Sequence, residues 1–131
     1  IREIIKALSQ IFIQKPNLRI KIDSLNAFPD VQHPKILWAG ISEGADETVR
    51  IYDAINDSLE KLGIPKDRER MIPHLTLARC KTAQESRTCA DAIKKAPTFS
   101  VEAHPQSVTF YQSTLSSQGS IYVPITSIIF Q

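Results

Sequence analysis

From Ala103 to Gln131 the sequence lacks every Asp, Glu, Lys and Arg. The charged side chains of the sequence therefore all lie before this stretch. No apolar run approaches the ~20 residues of a helical membrane span, and no basic-then-apolar leader opens the chain. A soluble, cytoplasmic protein is expected. The two cysteines, Cys80 and Cys89, are too few for a disulfide framework and fit neither CxxC nor zinc spacing. They read as reduced, buried thiols. With only four glycines there is no Gly-rich phosphate loop, and neither a GxSxG elbow nor an HExxH pair occurs. Methionine is found once, at Met71, and the first residue is Ile1. The chain is therefore expected to be a processed protein or a piece of a longer one.

What is present describes one globular domain over residues 1–131, with 42% hydrophobic and 23% charged side chains. The net charge of +2 is too small to announce a nucleic-acid binder. Its distribution is more informative. Lys61, Lys66, Arg68, Arg70, Arg79 and Lys81 face only Asp67 and Glu69 within one window. Such a stretch favours a phosphate-bearing partner, or is simply a solvated loop.

Ile1, Ile4, Ile5, Leu8, Ile11 and Phe12 recur at helical spacing up to Pro16. No capping residue precedes this stripe, so the chain reads as starting inside a helix. Leu18, Ile20 and Ile22 alternate as a strand, residues 26–33 read as a loop, and Ile36–Ile41 reads as a central strand buried on both faces. Asp46 is placed to cap a second helix, with its stripe at Val49, Tyr52, Ile55, Leu59 and Leu62 and its end at Gly63. A strand is predicted at His74–Ala78. Thr82-x-x-Glu85 reads as a capping box opening a third helix that Pro97 bounds. Phe99/Val101/Ala103, Val108/Phe110 and Ile121/Val123/Ile125 alternate as strands, with a turn over 116–119. This order implies an α+β fold with helices packed on mostly antiparallel sheet.

The chemistry concentrates on one histidine. His33 and His104 each precede a proline in extended loops, whereas His74 shares a strand with Thr76 two residues on, so both project from one face. Ala78 is expected to leave room on that face, with Leu75 and Leu77 pointing into the opposite layer. An imidazole moves protons near neutral pH and a hydroxyl donates to a phosphate oxygen. As a bare pattern, H-x-T equally describes a satisfied structural histidine.

Pro73-His74-Leu75-Thr76-Leu77-Ala78-Arg79 resembles the second HxTx motif of the RNA 2′,3′-cyclic phosphodiesterases, or 2′-5′ RNA ligases, of the two-histidine phosphoesterase superfamily. The resemblance includes Ala27-Phe28-Pro29, Leu37-Trp38-Ala39-Gly40, Leu62-Gly63 and the pattern Ser113, Leu115, Gly119, Tyr122. It implies a two-lobed, pseudo-twofold symmetric α+β fold with one His and one Thr from each lobe in a central cleft, without metal or other cofactor. It further implies His74 as proton acceptor, Thr76 on a phosphate oxygen and Arg79 steadying the phosphate charge, with Arg68 and Arg70 as weaker RNA-backbone contacts. Strict alternation points Arg79 to the other face, so a bulge or the strand's end must re-aim it. The first HxTx motif is expected upstream of Ile1, in a missing part of the first lobe. The implied substrate is RNA with cyclic-phosphate or tRNA-half termini, hydrolysed to a 2′-phosphate, with reversible 2′-5′ ligation as a family activity. The implied protein is a monomer with no membrane partner. The rival readings are a non-catalytic RNA-binding relative and a phosphodiesterase for 2′-5′ oligonucleotides or cyclic nucleotides.

Overall fold

The computed structural model describes every residue except Lys15, Asn17 and Gln131. Three helices, a four-stranded sheet and a two-stranded sheet form in the order α1 (Arg2–Ile11), β1 (Ile20–Phe28), β2 (Ile36–Glu43), α2 (Ala45–Glu60), β3 (His74–Arg79), α3 (Ala83–Lys95), β4 (Val101–Ala103), β5 (Ser107–Ser116) and β6 (Gly119–Ile129). All neighbouring strands pair antiparallel, and for β1–β2 and β5–β6 the short connections require it. The chain divides into two compact units, one of Ile1–Asn17, Arg50–Glu69 and Pro105–Gln131, the other of Leu18–Val49 and Arg70–His104. The α+β class stands. No described helix is long and apolar enough to cross a membrane.

In the first unit, α1 begins without a side-chain cap and buries Leu8, while the following Phe12 stacks on Phe130 at 5.3 Å. The second helix ends as Gly63 predicts: Gly63 has φ +84°, its N–H donates to Glu60 O, and Ile64 N–H donates to Leu59 O. With Leu62 N–H also donating to Leu59 O, these bonds satisfy two carbonyls of the last turn. An apolar cavity of about 350 Å³ remains between Leu8, Ile55, Leu59, Phe110 and Ile128, among others. Ser117 and Gln118 turn β5 into β6, with Gly119 at φ +113°. The uncharged hairpin exposes much apolar surface, including Leu115 at 85%.

The second unit is built on the sheet of order β3-β2-β1-β4. As the continuous apolar run predicts, β2 is interior and buries Trp38, Ala39 and Gly40 in succession. Three expectations need correction. The strand β1 runs on through Asn26, Ala27 and Phe28, which pair with Trp38, Leu37 and Ile36. Ladder pairing there outweighs the loop-like composition, and Pro29 is what stops the strand. Asp46 lies in the first turn of α2 rather than capping it, because the helix starts at Ala45 behind Gly44 (φ +86°). Leu75 and Leu77 are not buried in an opposite layer but about half exposed, at 52% and 50%.

Candidate functional site

His74 opens β3 opposite Gly40, and Thr76 lies opposite Trp38. The next pair is Leu37 with Ala78, so the register shifts and Leu77 is the extra residue of a bulge. Arg79 then falls opposite Ile36. Paired residues share a face, and Ile36, Trp38 and Gly40 alternate onto the same one. The bulge therefore brings Arg79 to the face of His74 and Thr76, the re-aiming that strict alternation denies. It also sends Ala78 to the opposite face, correcting the expectation that Ala78 leaves room beside His74.

The imidazole is held on three sides. His74 Nδ1 lies 2.6 Å from Ile72 O. A carbonyl only accepts, so Nδ1 carries the hydrogen and Nε2 is the accepting nitrogen of the neutral ring. The ring meets Phe28 edge-on at 5.3 Å and Trp38 at 5.6 Å, and these two stack on each other at 4.9 Å. Gly40 makes room for this nest, since a Cβ there would stand 2.3 Å from Ser24 Oγ and 3.2 Å from the Trp38 ring. His74, Thr76 and Arg79 all remain exposed. The face thus offers one proton acceptor, one hydroxyl and one fixed cation, the groups that binding and attacking a phosphate diester need.

The other basic residues are dispersed. Arg68 sits in an exposed irregular segment of the first unit and Arg70 at the start of the second unit's second stretch. Lys66 is spent internally, 2.6 Å from Asp57 and 3.2 Å from Glu60, which raises its pKa and holds Asp57 below the usual carboxylate range. His33 pairs with Asp30 at 3.4 Å in the loop after β1. Among the described residues, no group of three or more His, Cys, Asp or Glu is placed to hold a metal ion. Reasoning from sequence did not assign Phe28 and Trp38 to the histidine's surroundings, although their places on neighbouring strands carry that information.

Residues 1–115 match the family profile of the 2'-5' RNA ligase superfamily. The chain belongs to that superfamily. Among curated members, it is 34% identical over 125 residues to an RNA 2′,3′-cyclic phosphodiesterase of Aquifex aeolicus, covering 94% of this chain and 66% of the relative. It is 32% identical over 111 residues to another of Aeropyrum pernix, covering 84% and 63%. The chain thus spans a little under two thirds of the length of these superfamily members. In fold it is similar to a crystal structure from Thermus thermophilus (TM-score 0.75, 18% identity, 99% of this chain and 69% of that one). It is also similar to E. coli LigT solved with 3′-AMP (TM-score 0.62, 18% identity, 98% and 69%).

Proposed function

We propose that the protein hydrolyses RNA 2′,3′-cyclic phosphate termini to 2′-phosphates. The observation that supports this reading is the bulge at Leu77, by which Arg79 pairs onto the same face of the sheet as His74 and Thr76. In this reading His74 Nε2 takes the proton of the attacking water, Thr76 donates to a non-bridging oxygen, and Arg79 balances the charge that builds on phosphorus. Departure of the 3′ oxygen needs a proton from the far side of phosphorus, where His74 cannot reach. That second carrier is assigned to the third of the relatives' length that lies outside the match. Ligation through a 2′-5′ bond is the same displacement with a 5′ hydroxyl attacking in place of water.

RNA is the proposed partner, with cyclic-phosphate or tRNA-half termini, and Arg68 and Arg70 are proposed backbone contacts. The protein is proposed to act as a monomer, in the cytoplasm, without a metal. The names of the superfamily relatives support the substrate class, and the polar groups beside His74 support the mechanism.

The test is turnover of an oligonucleotide bearing a 2′,3′-cyclic phosphate by the full-length gene product. His74→Ala is expected to lower kcat by about 10²–10⁴, the usual contribution of one general base. Full turnover by that variant overturns the assignment of His74. A wild-type protein that binds RNA in a salt-dependent manner without hydrolysis identifies a binding relative instead. Preference for 2′-5′ oligonucleotides or cyclic nucleotides over RNA termini overturns the substrate.

A further inference from the structure

Spacing alone makes Cys80 and Cys89 unrelated residues, yet folding brings them together. Cys80 Sγ donates to Cys89 Sγ at 2.9 Å, and both side chains are half-buried. Each is mounted on fixed backbone. Cys80 follows directly on β3 and its N–H donates to Lys35 O at 2.8 Å. Cys89 lies on α3, whose first turn is pinned by the reciprocal Thr82–Glu85 capping box.

We propose that Cys80 and Cys89 form a reversible dithiol–disulfide site joining the end of β3 to α3. Closing the bond asks the two sulfurs to approach by about 0.9 Å, to the usual S–S length of about 2.05 Å. A cleft of about 400 Å³ lined by Arg79, Thr82, Gln84, Glu85 and Thr88 is also lined by both cysteines, giving a small oxidant a path toward the pair. Thiols sealed in an apolar core lack such access and are inert.

The oxidant is a low-molecular-weight disulfide such as oxidised glutathione. Cys89 acts first, because Cys80 is held as the hydrogen-bond donor and its thiol is pushed up to about 11, chiefly by Cys89 and then by burial. The Cys89 thiolate attacks one glutathione sulfur, forming a mixed disulfide and expelling one glutathione thiolate. Cys80 then loses its proton to solvent and attacks the Cys89 sulfur, expelling the second. Two protein thiols become one disulfide, and one glutathione disulfide becomes two glutathione thiols. Arg79 immediately precedes Cys80, so the bond forms next to a residue of the proposed phosphate site. The inference itself stands on the thiol pair and is independent of the catalytic reading.

The full-length protein is equilibrated under native conditions across glutathione buffers from reduced to oxidised, quenched by alkylation and digested with trypsin. Cleavage after Arg79, Lys81, Arg87 and Lys94 places the two cysteines on separate peptides. The expected result is loss of both alkylation sites and appearance of residues 80–81 linked to residues 88–94, reversed on return to reduced buffer. Cys80→Ser is expected to accumulate a persistent mixed disulfide on Cys89, since no thiol remains to resolve it. The proposal is overturned if both cysteines stay alkylatable throughout, or if each carries glutathione separately in the wild type. Failure of the mixed disulfide to accumulate in Cys80→Ser also overturns it.

Discussion

Trp38 offers a sharp test of the packing around His74, because it is 9% exposed and its buried Nε1 has no hydrogen-bond partner among the described residues. Replacing a buried Trp with Ala costs about 3–5 kcal/mol in lost contacts and cavity. Phe at this position keeps a ring for the 4.9 Å stack on Phe28. It loses the second ring, roughly 1–2 kcal/mol of burial, and removes an N–H whose unmade bond costs about 1–3 kcal/mol. The two terms largely cancel. Trp38→Phe is therefore expected within about 1 kcal/mol of the wild type, while Trp38→Ala stays in the lower half of its usual range because it too relieves the N–H. Urea unfolding followed by far-ultraviolet circular dichroism measures both. Trp fluorescence is unsuited, since Trp38 is the only tryptophan of these residues. A Phe variant as unstable as the Ala variant refutes the unpaired donor.

The remaining predictions address other elements. Thr82→Ala removes the acceptor of Glu85 N–H at 3.1 Å and breaks the capping box, so a loss of about 0.5–2 kcal/mol is expected by the same unfolding assay. No loss would mean that α3 is held by packing alone. Gly40→Ala forces Ser24 Oγ, 2.3 Å from the new Cβ, to change rotamer and presses the Trp38 ring, with an overpacking cost of about 1–3 kcal/mol. Unmoved imidazole resonances of His74 in that variant would show that the nest does not reach across the strand. Arg19, hydrogen-bonded at 2.6 Å, holds the Glu102 carboxyl below its ordinary value of 4.5. A carboxylate depressed in the folded state adds stability above its unfolded pKa and loses it as the pH falls through the folded one. Glu102→Gln should therefore flatten the acid limb of the stability–pH curve below about pH 4.5, and do so less in high salt because the pair is half-exposed. An unchanged acid limb removes the Arg19 pair from the account.

Much of the fold is legible where a single local interaction decides the backbone. Gly63, the Thr82–Glu85 box and the turn into Gly119 each act within a few residues, and each appears where its chemistry predicts. The misplaced features depend on partners remote in sequence. Asn26 and Phe28 look like loop residues until Trp38 and Ile36 pair with them. Leu75 and Leu77 look buried because alternation says which face a side chain takes, not what covers that face. The positive window from Lys61 to Lys81 reads as one patch, yet it is divided between two units and Lys66 is engaged by Asp57 and Glu60.

The candidate site shows the same limit in its sharpest form. His74 and Thr76 are two apart, so their common face follows from strand geometry alone. Arg79 is five from His74, an odd spacing that regular alternation always splits between faces. One extra residue converts odd to even, and Leu77 is that residue because β2 offers only Leu37 and Trp38 against Thr76, Leu77 and Ala78. The information that unites the three groups therefore resides in the pairing of β2 with β3 rather than in the HLTLAR segment itself. The same central strand supplies Trp38 against the imidazole and Gly40 opposite it. The run from Ile36 to Gly40 thus fixes where the imidazole, the hydroxyl and the guanidinium stand on β3, although none of its own side chains carries the proposed proton chemistry.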